Sequence, residues 1–219
     1  MFARSLAVFA LLSISAAASD LPAANSITIY LKSGGADVAA LSYMKRELTG
    51  LMQTAGYRLD WVNASSAIPD VSNGQLVVLA LTGDCTARWS PGEPSEDLGI
   101  GSLASTPVSD GEILPFSTLH CDTLNRVLRG GIARASDQRR PWLYGRAMAR
   151  LAAHELYHVL TNTRGHSQNG ISKPCFSARD LLADHFEFES AALAKMRHGA
   201  PADISVSPIA VSETASGRQ

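Results

Sequence analysis

Charge of neither sign dominates this chain: 19 Lys and Arg face 20 Asp and Glu, a formal net charge of −1 at pH 7 over 219 residues. That leaves no electrostatic basis for binding nucleic acid or a charged membrane surface. The pair Arg139-Arg140, just before Pro141, is an isolated basic spot and reads as solvated loop. Long apolar runs are scarce as well. The run at 6–14 is too short to span a bilayer, and nothing after it is apolar enough to try. It follows one positive charge, Arg4, and precedes Ala16-Ala17-Ala18, which is the layout of a secretory signal peptide. Cleavage after Ala18 leaves an exported mature chain, periplasmic or secreted, with no stable membrane insertion. Cysteine is limited to Cys85, Cys121 and Cys175. Export permits a disulfide, and three thiols leave one over. Cys85 and Cys121 both end apolar segments and are the preferred pair; Cys121 with Cys175 is the rival. The remaining thiol reads as a plain cysteine, with a regulatory approach of Cys175 to a metal as the lesser option. Internal repeats are absent.

What is present alternates strands and helices. Residues 26–32 (SITIYLK) read as a strand, and 36–55 as an amphipathic helix stopped by Gly56. Residues 57–63 (YRLDWVN) and 75–81 (QLVVLAL) read as strands, joined by a turn at Pro69 and Asn73-Gly74. A Pro-, Gly- and acid-rich loop at 83–99 carries Trp89. Weaker strands follow at 98–105 and 112–121, the latter interrupted by Pro115 and so placed at an edge or a bulge. A short helix begins at Asp122 and is expected to end at Gly130-Gly131. Residues 142–161 are the clearest helix, nearly apolar outside its arginines and one polar cluster. A loop at 161–174 has Asn162, Gly165 and Gly170 available for left-handed turns. Residues 176–197 read as one further helix with Ser177 as N-cap, its Met196 a core residue. The fold class is α+β: a mixed sheet with a backing helix, a central helix and a small helical C-terminal part. It occupies 19–199 as one domain, with 200–219 a disordered tail.

The polar cluster in that central helix is His154-Glu155-Leu156-Tyr157-His158, an H-E-x-x-H. Residues four apart stack on one helix face, so two imidazoles can share one zinc ion. A catalytic zinc takes three protein ligands and leaves a fourth position open. His166, past a turn-rich segment, is the leading third ligand. Asp180, Asp184, Glu187 and Glu189 are the carboxylate alternatives, with Glu187 best placed and His185 a weaker option. Glu155, beside the open position, can take a proton from zinc-activated water and pass it to a leaving amine. Tyr157 falls on another face and reads as core.

This pentapeptide resembles the active-site helix of the zincin metallopeptidases. The order before it, strand, long helix, strands and then the motif helix, is similar too. A third histidine after a short loop resembles the metzincin branch, whose pattern H-E-x-x-H-x-x-G-x-x-H has Gly and His where this chain has Thr161 and Arg164. No methionine turn is evident. Residues 154–182 are also similar to small exported bacterial proteins of unestablished function. The resemblance implies a zincin-like fold, zinc on His154 and His158, Glu155 as general base, and 114–119 as the edge strand that binds substrate. It implies a zinc metallopeptidase acting on peptides or proteins, exported by the leader at 1–18, while the charge balance speaks against a nucleic-acid partner. The alternative is a non-catalytic zinc-binding or cell-envelope interaction protein on the same scaffold. A structural zinc site is disfavoured, since no fourth ligand lies close in sequence.

Overall fold

The computed structural model describes residues 25–63, 75–86 and 101–198. The expected signal peptide at 1–18, the expected turn at Pro69 and Asn73-Gly74, most of the expected loop at 83–99 and the expected tail at 200–219 lie outside them. In chain order the elements are β1 (Asn25–Lys32), α1 (Val38–Thr54), β2 (Tyr57–Asn63), β3 (Gln75–Thr82) and β4 (Ala104–Ser105). Then come β5 (Val108–Ser109), β6 (Glu112–Ile113), β7 (Phe116–His120), α2 (Cys121–Ile132), α3 (Arg140–Thr161), α4 (Ala178–Leu182) and α5 (Ser190–His198). The fold is α+β, with a mixed sheet in the order β2-β1-β3-β7-β4.

Alternation builds that sheet. Ile27, Ile29 and Leu31 of β1, Val77, Leu79 and Leu81 of β3, and Leu119 of β7 are buried on the side that meets the helices. β2 and β3 both run parallel to β1, and β7 runs parallel to β3. Parallel pairing needs a crossover, and α1 supplies the one between β1 and β2. Asp37 caps it, its carboxylate accepting from Ala40 N–H at 2.8 Å.

The expected edge strand at 114–119 is not an edge. β7 lies between β3 and β4, because Ala104 and Ser105 pair antiparallel with Leu119 and Thr118. Pro115 stands one residue before β7, where its missing N–H takes no ladder bond from the strand. Its carbonyl accepts from Val78 N–H at 2.9 Å. The edge beside β7 is the two-residue β4; of the strand expected at 98–105, residues 98–100 lie outside the described residues and 101–103 are not strand. Residues 112–121 likewise divide, with β6 pairing β5 as a separate hairpin.

Two helix expectations are also corrected. α2 runs through Gly130 and Gly131 to Ile132. A Cβ on Gly131 would come 2.5 Å from Leu182 Cδ1, so this glycine permits contact with α4 rather than a stop. Residues 176–197 are not one helix: α4 ends at Leu182 and α5 starts at Ser190. The arginines of α3 cause the break. Arg150 Nη1 donates to the carbonyls of Asp180 and Leu181 at 2.8 and 3.0 Å, and Arg146 Nη1 to that of Ala183 at 2.9 Å. Those carbonyls would otherwise accept from the next helical turn. Ser177 does cap α4, in a capping box with Asp180.

α3 is the centre of the molecule. Pro141 lies in its first turn, and every residue from Leu143 to Leu160 is buried. It packs on α1, β7, α4 and α5. Gly145 lets α1 come close: a Cβ there would collide with the Ala40 carbonyl, Tyr43 Cβ and Met44 N. Helix propensity alone would make Gly145→Ala stabilising by about 1 kcal/mol. Overpacking reverses the sign, and a loss of about 1–3 kcal/mol is expected. Gly130→Ala on α2, where a Cβ meets nothing within 4 Å, should instead gain up to about 1 kcal/mol. Denaturant unfolding of the two variants checks the opposite signs.

The Cys85–Cys121 pairing is present, with a Cα–Cα distance of 5.0 Å. It ties the chain just after β3 to the first residue of α2. Cys175 is free and exposed.

Candidate metal centre and its carboxylate

One turn of α3 stacks His154 above His158, and both are buried, at 7% and 9% exposure. α3 then ends on Asn162, whose left-handed φ of 41° turns the chain back under the helix. Asn162 fastens that turn to the β5–β6 hairpin, its Oδ1 accepting from Ile113 N–H at 2.9 Å. Of the two glycines expected to take left-handed turns, Gly170 does, with φ 67°, and Gly165 does not.

The loop after Asn162 is held internally. Ser167 N–H donates to Ser172 C=O at 2.9 Å, their hydroxyls meet, and Ile171 N–H donates to Glu187 C=O at 3.0 Å. A Cβ on Gly170 would come 2.5 Å from that same Glu187 carbonyl, which is why a glycine stands there. The irregular stretch between α4 and α5 therefore braces the loop that carries His166.

His166 is exposed, and its ring lies parallel to that of His154 at 5.3 Å and edge-on to that of His158 at 4.8 Å. The nitrogens the three histidines offer all lie within 4.8 Å of one another. Among the described residues this is the one His, Cys, Asp and Glu group able to hold a metal ion. The carboxylate alternatives are engaged elsewhere. Asp180 binds Lys173 at 2.8 Å and caps α4, Asp184 binds Arg146 at 3.0 Å, and Glu189 accepts from Asn169 at 3.1 Å. Glu187 lines a groove beside α1 with Arg46 and Glu47. His185 is exposed and outside the group. Cys175 is outside it too. Tyr157 is buried against Phe188, as its helix face implied.

The hydrogen bonds fix the tautomers. His154 Nδ1 lies 2.7 Å from the Ile171 carbonyl, and His158 Nδ1 2.6 Å from the Thr163 carbonyl. A carbonyl only accepts, so both Nδ1 atoms carry the proton. Each neutral ring then has a bare lone pair on Nε2. Those two Nε2 atoms face each other at 3.0 Å. Burial drives the His154 pKa down to about 4, aided by His158 and His166 and opposed by the Ile171 bond. His158 is lowered too, first by burial. Phe176 closes one side, its ring edge-on to His154 at 5.1 Å.

Glu155 is 5% exposed. Its Oε2 accepts from Thr106 Oγ1 at 2.6 Å, and that hydroxyl meets Ser117 Oγ at 2.8 Å. Burial raises the carboxyl above its ordinary range, against the Thr106 bond. Thr106, Ser117 and the carbonyls of Thr163 and Ile171 were not foreseen from the sequence.

No family model matches the chain, and no curated protein matches it. A solved structure that does match is a zinc-dependent peptidase from Methanocorpusculum labreanum (strain Z). It is 12% identical, with a TM-score of 0.48, over 78% of this chain and 99% of that one. The chemistry of the centre therefore rests on this chain's own residues.

Proposed function

We propose that this chain is an exported zinc metallopeptidase, with His154, His158 and His166 as zinc ligands and Glu155 as general base. The observation that carries the reading is the facing pair of Nε2 lone pairs, 3.0 Å apart. Two neutral imidazoles repel in that pose unless a positive charge lies between them. Burial works against a shared proton. A divalent cation satisfies both nitrogens at once, and a backbone carbonyl behind each ring is the usual support of a metal-binding histidine. Three imidazoles with an open side suit a catalytic zinc, and the donor set fits it.

Bound zinc would polarise a peptide carbonyl and acidify a water. Glu155 takes the proton from the attacking water and delivers it to the departing amine. Burial lifts its carboxyl, so the ionised form is a stronger base. A mere metal platform has no use for a buried carboxylate beside its ligands, and this favours hydrolysis. Export is supported by the leader-like residues 1–18 and by the Cys85–Cys121 bridge, which suits an oxidising compartment. The mature domain is proposed to run over 19–199.

Digestion of a broad peptide library tests the reading. Cleavage by the purified protein is expected to vanish with a strong chelator and to return with equimolar zinc. Zinc-loaded protein that cleaves no peptide would favour the non-catalytic zinc-binding alternative.

A further inference from the structure

Resting on that reading, we infer that Thr106, backed by Ser117, is a positioning residue that holds Glu155 in its working orientation. Thr106 follows the edge strand β4 and is 49 positions from Glu155 in sequence. Its hydroxyl has one proton, and an ionised carboxylate can only accept, so that proton goes to Glu155 Oε2. The 2.6 Å separation is that of a charge-assisted O–H···O⁻ bond. With that proton committed, the bond between the two hydroxyls has one direction left: Ser117 donates and Thr106 accepts. Ser117 is 2% exposed on β7, an interior strand, in register with Leu79 of β3. The carboxylate of α3 is thus tied through two hydroxyls to the rigid middle of the sheet.

This relay engages one carboxylate oxygen, Oε2. Among the described residues Glu155 Oε1 accepts no hydrogen bond, so Oε1 is the oxygen available to the proton being transferred. A general base must sit within hydrogen-bond reach of that proton, and small displacements are costly. Without Thr106 the side chain can turn about its own bonds within a site that is otherwise intact.

The test compares Thr106→Val with Thr106→Ser in zinc-loaded protein. Thr106→Val keeps the shape and deletes the hydroxyl. It is expected to lower kcat by about 10–100-fold, the usual cost of removing a hydrogen bond that orients a site residue, with KM and zinc affinity unchanged. Thr106→Ser keeps the hydroxyl and is expected to recover most of the loss. A Thr106→Val crystal structure should show the Glu155 carboxylate displaced. Wild-type kcat in Thr106→Val overturns the inference, as does equal impairment of Thr106→Ser. Loss of zinc affinity in step with kcat also overturns it, by showing a general structural role. If the wild-type protein cleaves nothing, the peptidase reading falls by itself. The crystal structure then decides this inference: a displaced carboxylate upholds it and an undisturbed one removes it.

Discussion

Zinc-loaded protein carrying Glu155→Gln is expected to keep its metal while kcat falls by about 10²–10⁴-fold, the usual worth of a general acid–base group. The substitution is nearly isosteric, and the amide oxygen can still accept from Thr106 Oγ1, which lies 2.6 Å from Oε2. Burial raises the Glu155 pKa, so a neutral amide is easier to bury there than a carboxylate. The fold should not suffer, and melting temperature is the control. What the amide cannot do is take a proton. Unchanged kcat with full zinc occupancy would remove Glu155 from the reaction.

His166→Ala is the second large effect, and it acts on the metal. This imidazole is exposed, so its removal opens no core cavity. His154→Ala or His158→Ala would instead leave the carbonyl of Ile171 or Thr163 without its donor. The expected loss in zinc affinity exceeds the roughly 100-fold that removing a residue which only orients a ligand can account for. Competition with a chromophoric chelator reads it directly. Thermal unfolding reads it independently, because zinc at 100 times its Kd adds about 2.7 kcal/mol to the native state. That increment should appear in wild type and in Glu187→Ala and be missing in His166→Ala. If Glu187→Ala strips the metal and His166→Ala does not, the third ligand has been misassigned.

Much of this centre is legible in the sequence because helix geometry is local. His154, Glu155 and His158 are fixed relative to one another by 3.6 residues per turn, whatever surrounds them. β1, α1, β2 and β3 are legible for the same reason, since a buried strand or an amphipathic helix writes its own period. His166 follows from ligand type and from the short reach of the loop past Asn162. Thr106 follows from nothing local: 49 positions separate it from Glu155, and only the pairing of β4 with β7 brings it near. The carbonyls of Ile171 and Thr163 are backbone groups and leave no trace in residue identity.

The misread helix is instructive in the same way. Leu181, Leu182, Phe186 and Phe188 suit a helix by spacing. What ends α4 is the pair Arg146 and Arg150, some 30 residues upstream, claiming its last carbonyls. Tertiary contacts override local preference there, and the stretch they free braces the loop of His166. Gly130-Gly131 shows the converse, a local stop signal that packing against Leu182 turns into a contact.

X-ray absorption at the zinc edge, on purified protein loaded with one equivalent of metal, tests the three-histidine centre most directly. The expected result is tight stoichiometric zinc with three imidazole nitrogens at about 2.0–2.1 Å, falling to two in His166→Ala. A protein that takes up no zinc, or a sulfur shell at about 2.3 Å from Cys175 in place of one nitrogen, would contradict it.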